Sequence, residues 1–295
     1  MLFGIVHEKA FDAKVHLRLM DLYPHHLASW PRSRLETAIR RRAQTAYLGD
    51  GVVLARILGR HKIFLRGSDR GFACHVMLDG FWEMWLTQFL ACHVKPDMTV
   101  VDVGANYGYF SLLLGDAVGE RGHVIAVEPN PDAAALLQES VLLNGHGQRT
   151  RVVPHALGAK AGHGKLYFPY GEPKNATLVD REDLPGGRTI DVTTLTLDEV
   201  ALPCKKVDLV KIDAEGGEVA IAAGMRQLIA RDHPTIILEF NPGRYVDPRG
   251  FLDEMLASYG TALELSLDGA LLPLDRMAVL DQTNREDRIL IFGQT

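Results

Sequence analysis

The chain has 295 residues, with 32 Lys+Arg against 37 Asp+Glu for a formal charge of −5, and is 47% hydrophobic and 23% charged. This composition excludes disorder, a collagen-like repeat and a disulfide scaffold, and the length suits one large α/β domain with an appendage. No run approaches the roughly 18 consecutive apolar residues of a spanning helix, and MLFGIVHEKAFDAKVHLRLM carries charges where a signal peptide has its apolar centre. A soluble, cytoplasmic protein with no membrane partner is therefore expected. Cys74, Cys92 and Cys204 lie far apart, form no metal-ligand spacing and read as free thiols.

Residues 1–95 read as an N-terminal extension and candidate substrate cap. Within it, Ser33-Arg34-Leu35-Glu36 has the form of a capping box, and Leu35, Ile39, Ala43 and Tyr47 follow at helical spacing. The opposite face carries Arg32, Arg34, Arg40, Arg41 and Arg42. With no aromatic platform or recognition motif beside it, this run reads as a solvated face, and no nucleic acid partner is expected. GVVLARIL, HKIFLRG and FACHVML predict a small β meander over 51–80, and a helix follows from about Phe81 to His93.

From 96 to 295 the pattern is that of one α/β domain. The runs VVDV, VIAVEP, RVVPHAL, DLVKID and TIILEF alternate with helical stretches such as DAAALLQESVLL and EVAIAAGMRQLIA, which indicates βαβ units around a parallel sheet with helices on both faces. An inserted hairpin or meander is expected at about 164–195, and DRILIF predicts a closing strand. Pro154 lies inside the third run, which suits an edge strand because proline cannot donate to a ladder.

VVDVGANYGYF, residues 100–110, joins a buried strand to a helix through the tight turn Gly104-Ala105-Asn106-Tyr107-Gly108, and Glu128 ends the next strand 20 residues after Gly108. That layout places an acidic group where it can take a ribose diol. A G-x-G-x-x-G cradle for a pyrophosphate would need glycine at positions 106 and 109, where Asn106 and Tyr109 stand. Asp102 beside the turn would repel a diphosphate and suits the ammonium and sulfonium of S-adenosylmethionine. Asn106 tolerates left-handed backbone angles and its amide can donate to a carboxylate.

GANYGYFSLLL, VIAVEPNP, VTTLTLDE, VDLVKIDAEGGE and IILEFNP, in this order, resemble the FkbM family of class I methyltransferases from about Val100 to Tyr259, and FWEMW at 81–85 resembles the helix that family carries just upstream. The resemblance implies a Rossmann-like seven-stranded sheet whose last strand is antiparallel. It also implies S-adenosylmethionine as cofactor and methylation of a hydroxyl on a small molecule such as a sugar or polyketide. Asp102 to Gly108 would wrap the methionine part and Glu128 would hold the ribose. Pro129 and Asn130 would line the adenosine, His155 and Ala156 would lie beside the adenine, and Glu83 would bond the methionine end or the acceptor. Residues 1–80 carry no part of this resemblance.

Methyl transfer to an alcohol gains from a positioned base. Strand VDLVKID ends in Asp213 at the rim where α/β sheets bind ligands, so Asp213 is the leading candidate base and a cofactor neighbour. Glu215 and Glu239 join it as candidate catalytic residues. Glu215 and Glu218 also suit a helix first turn, the reading favoured for Glu218. Asn241 can face the acceptor or form a turn before Pro242. The acids Asp213, Glu215 and Glu239 are hard ligands that can take Mg²⁺, but no geometry for a metal follows from the sequence and no metal site is assigned. Two other readings stand beside the methyltransferase: an NAD(P)-dependent oxidoreductase on a related sheet, and a non-catalytic S-adenosylmethionine-binding protein.

Overall fold

A computed structural model describes residues 21–170, 176–179, 186–281, 283 and 286–294. The parts of the expected insertion at 171–175 and 180–185, and the first 20 residues of the extension, lie outside the described residues. No described helix is long and apolar enough to cross a membrane.

The extension begins with helices α1 (Pro24–Ser29) and α2 (Arg32–Arg40), continues through strands β1 (Thr45–Gly49), β2 (Val52–Ile57) and β3 (His61–Arg66), and closes with helices α3 (Ala73–Asp79) and α4 (Met84–His93). Leu35 and Ile39 are buried as the spacing predicts. The capping box does not form. Pro31, at φ −55°, brings the chain into α2 ahead of Ser33, and Glu36 is claimed by Arg32 at 2.8 Å. The helix also ends before Ala43, so Tyr47 lies in β1 with 70% of its surface exposed. FACHVML is helical rather than extended. Asp69 Oδ1 accepts from the N–H groups of Gly71 and Phe72 at 3.0 Å each, and Ala73 and Val76 are buried one turn apart. Short apolar runs give no decisive periodicity. Much of the arginine face is occupied internally: Arg34 stacks on Trp30, Arg40 pairs with Asp79, and Arg42 donates to the Ala38 carbonyl.

The main sheet starts with β4 (Thr99–Val103), followed by α5 (Tyr109–Ala117), β5 (His123–Val127), α6 (Pro131–Leu143) and β6 (Thr150–Val153). The chain leaves the sheet at Pro154 and enters a second, four-stranded sheet made of β7 (Ala156–Leu157), β8 (Gly162–Pro169), β9 (Thr177–Val179) and β10 (Gly187–Leu195), in the order β7-β10-β8-β9. Proline thus stands where the edge strand stops pairing. After α7 (Leu197–Ala201) and β11 (Leu209–Ile212), the expected single helix over EVAIAAGMRQLIA is two, α8 (Glu218–Ala223) and α9 (Arg226–Asp232). The break falls at Gly224, where a Cβ would sit 2.2 Å from the Gly158 carbonyl oxygen, so the chain passes too close for a regular helix with a side chain. Then follow β12 (Thr235–Phe240), α10 (Pro248–Tyr259), β13 (Ala262–Leu265), β14 (Leu271–Pro273), α11 (Arg276–Val279) and β15 (Arg288–Phe292).

The sheet order is β14-β13-β15-β12-β11-β4-β5-β6, with β15 antiparallel to both β12 and β13. β15 is the antiparallel closing strand that the resemblance implies and β6 is an edge, but the described sheet has eight strands rather than seven. The eighth, β14, was not anticipated. It pairs antiparallel with β13 through a turn in which Gly269 has φ +89° and Ser266 N–H donates to the Ala270 carbonyl. Asp268-Gly269 is the turn signal that marks it.

Side chains alternate between two cores. Val101, Val103, Ile125, Val127, Val210 and Ile212 enter one; Val100, Val124, Ala126, Leu209 and Ile237 enter the other, together with α4, α5 and the extension. By the same alternation Asp102, Lys211 and Glu239 project from their strands to the face covered by α5.

Candidate active site

A cavity of about 230 Å³ opens at the carboxyl ends of the parallel strands, between the β4–α5 turn and the ends of β11 and β12. The turn is bent by three left-handed residues, Gly104 at φ +75°, Asn106 at +49° and Gly108 at +98°. A Cβ on Gly104 would lie 1.8 Å from the Asp213 carbonyl oxygen, so only glycine lets the turn lie against the end of β11.

Glu128 closes one side of the cavity at 7% exposure, and its two carboxylate oxygens each accept a backbone N–H, from Asn106 and from Asn130, at 2.8 Å. Burial pushes this carboxyl up to about 7 against the pull of those N–H groups, and Asp102 and Asp213 add to the rise. Gly104, Ala105, Asn106, Pro129 and Asn130 line the cavity beside it, and Ala156 and Leu157 follow from β7. The insertion adds Leu166 and Leu178, and the extension supplies Phe72, Trp82 and Glu83. Glu83 stands at the start of α4 with φ +39°.

Four expected cofactor neighbours lie outside the lining. Asp102 is fully buried beneath it, accepts from Ser111 Oγ at 2.6 Å and lies 3.5 Å from Lys211 Nζ, so its charge is met by the protein and does not face the cavity. Tyr107 turns away and stacks on Phe72, with ring centroids 6.1 Å apart. Gly108 packs on Leu137, where a Cβ would meet the side chain at 2.3 Å. His155 is left behind as the chain crosses to β7, and only its neighbours Ala156 and Leu157 reach the cavity.

On the opposite side Asp213, Glu215 and Glu239 line the cavity, each with a carboxylate oxygen within 4.8 Å of the others. Three residues that the sequence reading passed over govern them. Lys211, 2% exposed, lies between Asp102 and Asp213, 3.2 Å from Asp213 Oδ2 and with its ammonium 5.0 Å from the Phe110 ring centroid. Burial alone would depress its pKa, but Asp213, Asp102 and Glu83 outweigh that and hold the ammonium above its ordinary value. Arg244 reaches Glu239 at 2.6 Å, Glu215 at 2.8 Å and Asp287 at 3.0 Å. The signal available for Lys211 was a lone charge in an otherwise apolar buried strand; Arg244 and Asp287 had none.

Glu218 has the structural role expected of it. Its buried carboxylate accepts the N–H groups of Ala214 at 2.8 Å and Gly216 at 3.0 Å, tying the loop that holds Asp213 and Glu215 to the start of α8. Asn241 forms the turn: Oδ1 accepts from Gly243 N–H at 2.9 Å, and Nδ2 donates to Asp287 at 2.8 Å. Glu239, buried among acids, has its carboxyl raised by burial first and by Asp213 and Asp287 next, with Arg244 opposing.

The chain is similar to several solved structures. One is methyltransferase FkbM from Methylobacillus flagellatus KT, 15% identical over 67% of this chain with a TM-score of 0.44. The match takes in 44% of that chain, so this protein spans less than half the length of it. Others are an O-methyltransferase from Bacillus cereus in complex with SAH (14% identity, 71% of this chain and 80% of that one, TM-score 0.40) and precorrin-6y C5,15-methyltransferase from Geobacter metallireducens (12%, 69% and 83%, TM-score 0.37). No curated protein matches the sequence. Residues 102–261, which run from the buried aspartate of β4 to the start of β13 and include all of the candidate catalytic acids, match the methyltransferase FkbM domain, and by that match the protein belongs to the FkbM methyltransferase family.

Proposed function

We propose that the protein transfers a methyl group from S-adenosylmethionine to a hydroxyl of a small molecule such as a sugar or polyketide-like metabolite. The observation that carries this reading is Glu128 at the end of β5, facing the cavity across a glycine turn that leaves no room for a Cβ at Gly104. A carboxylate there accepts hydrogen bonds from a ribose diol and repels a diphosphate, and Asn106 and Tyr109 stand where a pyrophosphate cradle needs glycine. The donor set fits. Glu128 would hold the ribose, Pro129, Asn130, Ala156 and Leu157 would enclose the base, and Gly104 to Asn106 would border the amino-acid part. Glu83 lines the cavity and the buried Asp102 does not, so Glu83 would face the ammonium group.

The donor supplies a methyl group on a positively charged sulfur. Asp213 takes the proton from the acceptor hydroxyl, a contribution of about 10² to 10⁴ in rate, and Lys211 at 3.2 Å fixes the orientation of that carboxylate. Glu239 and Glu215 accept hydrogen bonds from the other hydroxyls of the acceptor. Phe72, Trp82, Leu166 and Leu178 keep water from the reacting groups. The test is transfer of labelled methyl from the donor to a panel of sugars and hydroxylated polyketides. Label appearing on a hydroxyl oxygen supports the reading; label confined to amines or thiols, or no transfer beside tight donor binding, contradicts it.

A further inference from the structure

Four carboxylates from three segments meet at the acceptor side of the cavity: Asp213 and Glu215 in the loop after β11, Glu239 at the end of β12 and Asp287 just before β15. One oxygen from each of the first three lies within 4.8 Å of the others. Like charges this close, partly removed from water, either take up protons or gather around a cation. The chain provides that cation from the turn that follows β12.

Arg244 belongs to the 3₁₀ turn Pro242–Arg244, and its own N–H donates to the Asn241 carbonyl at 3.0 Å. Its Nη1 reaches Glu239 Oε2 at 2.6 Å, while Nη2 reaches Glu215 Oε2 at 2.8 Å and Asp287 Oδ1 at 3.0 Å. Asn241 Nδ2 holds the same Asp287 oxygen at 2.8 Å, so the turn fixes both the guanidinium and one of its partners. A planar fork with several donors can serve three carboxylates at once, which a lysine ammonium cannot do in a fixed geometry. Asp213 is the acid of the set left to Lys211, from the other side.

We infer that Arg244 is a positioning residue that takes the place of a divalent cation at the acceptor wall, gathering Glu215, Glu239 and Asp287 into a preset row of hydrogen-bond acceptors beside Asp213. The functional meaning of that row rests on the methyl-transfer reading; the cation-like position of Arg244 does not. Asp213, Glu215 and Glu239 offer hard oxygen ligands within 4.8 Å of one another, and the guanidinium pairs with two of these, Glu215 and Glu239. Its charge both removes the need for such an ion and opposes the entry of one.

The test is the loss of the free Mn²⁺ paramagnetic resonance signal on titration with the full chain, with no donor or acceptor present. Wild type and Arg244→Lys, which keeps the charge, are expected to leave the signal intact. Arg244→Gln, with thermal melting as the check on its fold, is expected to take up one Mn²⁺ per chain at least about tenfold more tightly. Wild type binding Mn²⁺ as tightly as Arg244→Gln, or a folded Arg244→Gln with no gain, overturns the inference. Should Arg244→Gln not fold, the other two proteins decide: Mn²⁺ held by either overturns it, and free Mn²⁺ in both supports it. Failure of the methyl-transfer reading shows separately, in calorimetry of wild type with S-adenosylhomocysteine.

Discussion

Lys211 and Asp102 are register partners on the adjacent parallel strands β11 and β4, and their side chains meet at 3.5 Å with the lysine 2% and the aspartate 0% exposed. Removing one member of such a pair leaves an uncompensated buried charge. Lys211→Met is therefore predicted to lower unfolding free energy by about 3 to 5 kcal/mol in urea. Lys211→Met with Asp102→Asn should lose less than the sum of the two single changes, because the second removes the orphaned charge. A single-variant loss below about 1 kcal/mol would show that the pair is not held as described.

The pH dependence of donor binding should be set by Glu128. Its folded-state pKa, about 7, lies above the ordinary 4.5, so its contribution to stability is complete below 4.5 and lost as pH rises through 7. Binding has the opposite sign, since ribose hydroxyls are taken by the carboxylate. S-adenosylhomocysteine affinity is predicted to be flat above pH 7 and to fall by up to about tenfold per pH unit below it. Glu128→Ala should weaken binding by about 1 to 3 kcal/mol and flatten the profile. A wild-type affinity that does not change between pH 5 and 8 removes the assigned role.

How much of this was legible in the sequence depended on whether a signal was local. The β4 turn was readable because left-handed angles demand Gly104, Asn106 and Gly108, and all three have positive φ. The strand pattern of the parallel sheet followed from continuous apolar runs, and Pro154 marked the edge. FACHVML misled because a seven-residue apolar run fits helix and strand alike, and tertiary packing with the Asp69 turn decided it. Asp102 was assigned to the ligand because its partner Lys211 lies 109 residues away in sequence yet directly opposite in register. Arg244 was illegible for the same reason: it acts through Glu215, Glu239 and Asp287, and nothing local in PGR announces three acidic partners.

Gly104→Ala separates steric from conformational cost at the cofactor turn. The backbone angle alone costs about 1 to 3 kcal/mol, and the Cβ would also collide with the Asp213 carbonyl at 1.8 Å. Gly216, at φ +103° with no atom nearer than 3.7 Å, has the angle without the collision. Thermal denaturation is predicted to show a larger loss for Gly104→Ala than for Gly216→Ala, with S-adenosylhomocysteine binding abolished only in the former. Equal losses would mean that the turn gives way at no cost to β11.

Asp213→Asn keeps the shape of the side chain and a hydrogen bond to Lys211 but removes the proton acceptor. Once an acceptor substrate is in hand, transfer should slow by about 10² to 10⁴, with donor affinity within a few-fold of wild type. Unchanged transfer rates would pass the proton-accepting role to Glu239 or Glu215.

What fills the space beside Glu128 decides between a methyl donor and a dinucleotide. Calorimetric titration of the wild-type protein with S-adenosylhomocysteine and, separately, with NADH is predicted to give one-to-one binding for the first and no heat for the second. Binding of NADH without binding of S-adenosylhomocysteine would contradict the methyl-donor reading.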